Sequence, residues 1–327
     1  MTFNKNNTLR NLKPAFIALA AFQLCLTACK KNEPEATVYE PRPVTSSSSK
    51  FISKIYEYLP APGQFINEGL GTPEAAETLV GKANEGLVSL GGYGGYLIFG
   101  FDHSIANAEG ADIGIYGNPL TGVNMEWSEP AIVMVMQDLN GNGLPDDGPW
   151  FELAGSEYHK TETIKNYKIT YYNPKNTTDD IRWTDNQGKE GYVLRNNFHR
   201  KQYYPLWIKN QEELSFTGTL LKNTLNDGSI ITNKPFEWGY ADNGSEDFKT
   251  LMASKGSAYN SLDISWAVDD KGKKVQLSHI DFVKVYTGQN SNGNPYDPDR
   301  TNPRARFLGE ISSEIGGAID LSLHLKK

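Results

Sequence analysis

Cysteine is almost missing from this chain: Cys25 and Cys29 are the only two among 327 residues, and both lie near the amino terminus. From Phe51 onward there is none, which excludes thiol catalysis and any disulfide within the body. Long apolar runs are also lacking. The stretch Ala15-Phe16-Ile17-Ala18-Leu19-Ala20-Ala21-Phe22 is apolar but falls well short of the ~20 residues a spanning helix needs. The five histidines are scattered, with no His-Glu-x-x-His pair and no Gly-x-Ser-x-Gly elbow around a serine. Positive charge is in deficit as well, with a formal net charge of −7. That balance speaks against nucleic acid, or an anionic lipid surface, as a partner of the fold itself.

The amino terminus is where the sequence is most specific. Lys5, Arg10 and Lys13 precede the apolar stretch without an acidic residue, and Leu26-Thr27-Ala28-Cys29 follows it. This order resembles the lipobox of bacterial lipoproteins, in which the chain is cut before the cysteine and its sulfur takes a diacylglycerol. Residues 1–28 therefore read as a lipoprotein signal peptide, and losing them moves the net charge from −7 to −10. Each acyl CH₂ buried in a membrane contributes about 0.8 kcal/mol, so several chains on Cys29 would hold the protein firmly. Lys30-Lys31-Asn32-Glu33-Pro34-Glu35 and Ser46-Ser47-Ser48-Ser49 mark residues 29–50 as a polar, flexible tether. Short charged stretches after the cysteine resemble surface-export signals, which places the body on the outer membrane facing outward. A periplasmic orientation is the competing reading.

Residues 51–327 have the pattern of one β-rich domain. Tyr96–Phe101, Ile113–Tyr116, Ala131–Met136 and Tyr167–Tyr172 are short β-favouring runs separated by Gly, Asn, Asp and Pro. Val275–Leu277, Ile280–Tyr286 and Ile319–Leu325 alternate apolar and polar residues, the period of a strand with one buried face. The expected class is all-β, a β-sandwich or jelly roll with one or few peripheral helices. One helix is expected after Thr72 as its cap and Pro73 as its first residue, with Ala76, Leu79, Val80, Ala83 and Leu87 on one face. Asn226-Asp227-Gly228 and Asp242-Asn243-Gly244 bracket a place where the body could divide. The glycines around Tyr93 fit neither a dinucleotide fingerprint nor a P-loop, and read as a structural turn.

Several of these segments together carry a wider resemblance. Ser89–Tyr96, Phe99–Asp102, Gly110–Ile113, Ile115–Asn118, Ser128–Ala131, Phe236–Asn243, Ile280–Val285 and Glu310–Asp320 are similar to a family of Bacteroidetes cell-surface lipoproteins with jelly-roll domains. The resemblance implies a role beside TonB-dependent transporters and cobamide-uptake lipoproteins. It transfers no binding residue and no reaction.

The strongest chemical motif is Asp138-Leu139-Asn140-Gly141-Asn142-Gly143-Leu144-Pro145-Asp146-Asp147. Side-chain oxygens of Asp138, Asn140 and Asn142, the carbonyl of Leu144, and Asp146 or Asp147 can converge on calcium, with Gly143 allowing the sharp turn. The first half resembles EF-hand and dockerin loops, but Pro149 stands where a bidentate acid would close the shell. A modest site fits, since extracellular modules work at about 10⁻⁴ to 10⁻³ M calcium. The competing reading is an Asn-Gly hairpin whose side chains cap their own backbone. Residues 290–299 offer a weaker loop of the same kind.

Ligand contact is expected of Trp127, Trp183, Arg195, His199, Tyr203 and Tyr204, which combine aromatic faces with directed polar groups near turn-rich segments. No catalytic pair stands out, although Glu126, Glu129, Glu152, Glu157 and Asp242 are all candidates for carboxylate chemistry. The leading expectation is a non-enzymatic surface module capturing a nutrient for a TonB-dependent transporter. The ligand would be a cobamide, preferred through the resemblance alone, or a glycan. A jelly-roll glycan hydrolase or lyase and an adhesion module are the alternatives.

Overall fold

The longest strand, Tyr96–Ala106, has eleven residues and runs through the middle of the protein because both of its faces are covered. The computed structural model describes residues 39–122 and 125–325. Cys29, the signal peptide and the start of the tether lie outside them. Within the unit Val38–Lys327, six strands form a central sheet in the order Lys54–Leu59, Tyr96–Ala106, His279–Thr287, Ala131–Met136, Phe151–Leu153 and Ala267–Val268.

Register shows how the period-two pattern becomes two cores. Val283 lies between Phe99 and Val135, and Val285 between Leu97 and Val133. These rows face one side and pack with Ile113, Ile115, Leu262 and Ala318 from the sheet formed by Asn260–Leu262, Ile113–Tyr116 and Gly317–Asp320. One residue along, Tyr286 lies between Tyr96 and Ile132 and faces the other side. There it meets Tyr167, Ile169, Tyr171 and Phe216 from the four-stranded sheet Glu190–Val193, Ile181–Asp185, Ile164–Tyr172 and Glu213–Leu220. A one-residue slip would exchange the two cores, so burial on both sides pins the register. Each fully buried aliphatic or phenylalanine side chain contributes about 1.5–3 kcal/mol of transfer free energy.

The protein is all-β: about a third of its residues are in strands and 9% in helices. The jelly roll is corrected. Predominantly antiparallel sheets of six, four, four, three and two strands give an arrangement closer to a four-bladed propeller than to two facing Greek-key sheets. Period-two patterning reports faces, whereas strand order depends on non-local pairing that it does not encode.

Local expectations are corrected in five places. The described part of the tether, 39–50, is docked: Arg42 Nη1 donates to Phe101 O at 2.9 Å, and Arg42 Nη2 pairs with Asp281 at 3.3 Å. The helix after Thr72 covers only Pro73–Glu77, with Thr72 Oγ1 accepting from Ala75 N at 3.2 Å. It cannot run on to Leu87, because Gly81 and Asn84 take positive φ angles of 77° and 61°. The alternation over Ile319–Leu325 ends at Asp320, whose Oδ1 accepts from Ser322 N at 2.7 Å and starts a short helix instead. Val275–Leu277 is likewise outside any strand. The segment 222–245 does not divide the body, since Asn233, Phe236, Ala241, Asp242 and Asn243 are buried within it.

Candidate functional site

Three carboxylates from distant parts of the chain meet where these elements converge. Glu129 leads into the strand Ala131–Met136, and its N–H donates to Asp242 O at 3.0 Å. Asp242 adopts a positive φ of 49°. Its Oδ1 accepts from Asn118 N at 2.9 Å and its Oδ2 from Glu314 N at 2.8 Å. Gly117 is required beside it, because a Cβ there would lie 2.5 Å from Asp242 Oδ1. Ser312 ties the remaining two: its N–H donates to Glu129 Oε1 at 3.1 Å and its hydroxyl to Glu314 Oε1 at 2.8 Å. One oxygen from each of Glu129, Asp242 and Glu314 lies within 4.8 Å of the others.

Such a group cannot carry three charges. Two unit charges 4 Å apart repel by roughly 4 kcal/mol at an effective dielectric of about 20, and burial adds a penalty for each ion. Burial first, then the charges of Glu314 and Asp242, push the Glu129 carboxyl well above its ordinary value. Asp242 is pushed up likewise by burial and then by Glu314. Glu129 and Glu314 each shift the other's proton, so the two titrate as a pair, as other close carboxylates do. The donor set is all carboxylate oxygen, which suits a hard cation such as calcium or magnesium better than zinc.

Glu129 and Glu314 form the floor of an open cleft of about 580 Å³. Asn118, Gln64 and Asn196 bring amide groups to its walls. Its rim is apolar. Leu120, Met125, Phe198, Ile230 and Phe307 all line it, and each is more than half exposed to solvent. Phe198 and Phe307 meet edge to face with ring centroids 5.5 Å apart.

The residues expected to touch ligand separate into three groups. Trp127 and His199 line the cleft, and His199 Nδ1 lies 3.1 Å from Glu68. Arg195 lines a neighbouring cavity. The expectation fails for the other three. Tyr203 and Tyr204 are core side chains at 1% and 0% exposure, and the Tyr203 hydroxyl is taken by Asn196 N at 2.7 Å. Trp183 borders a space of only about 50 Å³ and packs on the second core. A tyrosine's apolar area made core burial the stronger claim on these positions.

The loop 138–147 folds on itself. Asp138 Oδ1 accepts from Gly141 N at 2.8 Å and Oδ2 from Gly143 N at 2.8 Å. Asn140 Oδ1 accepts from Asn142 N at 2.8 Å, Asn142 Oδ1 from Leu144 N at 2.7 Å, and Asp146 Oδ1 from Asn142 Nδ2 at 3.0 Å. Asp147 Oδ2 accepts from Asn140 N at 2.6 Å, while its Oδ1 is buried without a partner. The backbone-capping pattern accounts for most of these oxygens, and the Asp147 orphan is the feature that fits an added cation. The loop 290–299 is capped in the same way through Asn292 and Asn294.

The sequence offers Glu129 and Asp242 among many acids and does not single out Glu314. A usable signal was present: Glu314 is the one charged residue between Ile311 and Ile319, and a lone acid in such a run is a candidate for paired burial. No protein-family profile matches the chain, and none of the curated proteins does.

Proposed function

We propose that this protein is an outer-membrane lipoprotein, anchored through Cys29, whose body captures a glycan in the cleft above Glu129 and Glu314. The observation that carries the reading is the exposed apolar rim around a carboxylate floor. Single exposed apolar residues are ordinary on a protein surface, but several gathered around one concavity mark a binding site. A sugar ring has an apolar C–H face for Trp127 and Phe198, and hydroxyls for the Glu129 and Glu314 carboxyls and the Asn118 amide. The cleft is of small-molecule size, and its separate aromatic and amide groups suit the alternating C–H faces and hydroxyls of sugar rings, so a glycan is favoured over a cobamide. Calcium in the loop 138–147 belongs to the same reading as a stabiliser of the fold, and a TonB-dependent transporter would receive the ligand.

Capture is favoured over hydrolysis by spacing. Glycosidase carboxyls flank the bond at about 5–5.5 Å or more, whereas oxygens of Glu129, Asp242 and Glu314 all crowd within 4.8 Å of one another. Titration calorimetry of the chain from Cys29 onward against an oligosaccharide panel and cyanocobalamin tests the proposal. Saturable glycan binding that weakens at least tenfold in Trp127→Ala supports it. Glycan turnover, or binding to cyanocobalamin alone, overturns it.

A further inference from the structure

Five of the eight arginines in the sequence line one open cavity of about 700 Å³. They are Arg182, Arg195, Arg200, Arg300 and Arg306, and the acids on the same wall are Asp179 and Asp180. In a chain of net charge −7 this is a local reversal of sign. Most of the acid is already spent. Arg306 grips Asp180 in a two-pronged contact, Nη1 to Oδ1 at 2.7 Å and Nη2 to Oδ2 at 2.6 Å. Arg300 reaches the same carboxylate at 3.5 Å, and Arg182 pairs outward with Glu190 at 2.7 Å.

Two guanidiniums remain without a carboxylate. Among the described residues, Arg195 donates to the carbonyls of Thr178 and Arg200, and Arg200 Nε to Asn197 O at 3.1 Å. Arg195 Nε is a buried donor with no partner, a costly arrangement unless an acceptor arrives. Neighbouring cations are held by aromatic faces: Arg300 stacks 3.9 Å over the Tyr192 ring and Arg182 4.9 Å over Tyr172. With those two already paired to Glu190 and Asp180, Arg195 and Arg200 are the guanidiniums left for an anion, which this group meets with planar, two-point geometry.

The segment Arg195–Arg200 is the wall between this cavity and the carboxylate-floored cleft. Arg195, Asn197 and Arg200 face the arginine side, Phe198 and His199 face the cleft, and Asn196 borders both. We propose that the arginine cavity is an anion subsite, holding a carboxylate or sulfate group of a glycan whose uncharged part lies in the cleft. This makes the ligand an acidic glycan, and it rests on the glycan reading given above. The acid is kept away from Glu129 and Glu314 because like charges repel there.

Three saccharide probes distinguish the sources of the anion: oligogalacturonate, the same oligomer fully methyl-esterified, and a carrageenan oligosaccharide, which carries sulfate and no carboxylate. Binding is measured by calorimetry at two salt concentrations. At least one charged probe should bind ten or more times tighter than the ester, and the advantage should shrink in high salt. The double variant Arg195→Gln, Arg200→Gln should abolish that advantage and leave ester binding unchanged, which also shows that the variant is folded. Trp127→Ala should weaken charged and esterified probes alike. If charged probes bind through the arginines while Trp127→Ala changes nothing, the cleft reading fails and the anion subsite stands. Equal affinity for oligogalacturonate and its ester, with no preference for the sulfated probe, overturns the subsite. So does a charge preference that survives the double variant.

Discussion

The N–H of Glu314 donates to Asp242 Oδ2 across 2.8 Å, so the backbone of one acid orients the side chain of another. The contact joins positions 72 residues apart, and Ser312 carries it on to Glu129. Carboxylates held this closely make proton uptake part of the folded state, with consequences for stability at different pH values.

Glu310 provides the clearest case. It is buried, its Oε1 accepts from Gln64 N at 2.8 Å, and its Oε2 has no partner. Burial pushes its carboxyl up to about 8. The folded state therefore binds a proton that the unfolded chain has released, and stability falls as pH rises from the ordinary glutamate value, ~4.3, toward about 8. Glu129 and Asp242, both raised, act in the same direction. Urea melts from pH 5 to 8 should show declining stability, with a shallower slope in Glu310→Gln. A slope unchanged in the variant would contradict the assignment.

His103 is fully buried between two acids, with Nε2 at 2.8 Å from Asp320 and Nδ1 at 2.6 Å from Asp102. Hydrogen bonds to these acids outweigh burial and raise the imidazole above its usual value, while the hydrogen bond to His103 lowers Asp320 and Asp102. The histidine's contribution is fully present below about 6.5 and is lost as pH rises through the raised folded value. The aspartates' contribution is present above about 3.9 and is lost as pH falls through the lowered folded values. Removing one partner of a buried pair costs about 3–5 kcal/mol, so His103→Leu should lower the unfolding free energy by that order near pH 5.5. A loss below 1 kcal/mol would show the pair to be energetically silent.

Calcium should raise the melting temperature if it fills the loop 138–147. At a hundredfold excess over its dissociation constant the gain is about 2.7 kcal/mol. Asp147→Asn should remove most of this gain while leaving the chelated protein unchanged. Identical melting in chelator and in millimolar calcium would dismiss the ion.

Cys29→Ala should release the protein from the membrane fraction, because Cys29 is the cysteine that ends the lipobox-like run Leu26-Thr27-Ala28-Cys29. Fractionation and labelling of intact cells read this directly. Membrane association that persists in the variant would refute lipidation as the anchor.

Trp127 and Glu129 stand two residues apart, yet the sequence treated them very differently. An aromatic near a turn suggests contact with ligand, and here Trp127 does line the cleft. An acid in a chain with 39 Asp and Glu residues is unremarkable until its neighbours are known. Tyr203 and Tyr204 show the opposite failure. Their composition suited a binding surface, but packing took them into the second core, the one that also holds Tyr93 and Ile169.

What the sequence determined by itself is local. Alternating apolar residues defined strands such as His279–Thr287, Thr72-Pro73 marked the start of a helix, and the run ending at Cys29 set an expectation of lipidation. Each depends on neighbours within a few positions, where propensity and periodicity act. Tertiary structure decided which sheets face one another, that residues 39–50 dock on the body, and which acids share a site. Gly117, Asp242 and Glu314 meet only because segments 72 residues apart or more close on the same point, and the burial that shifts the protons of the two acids exists nowhere in the unfolded chain.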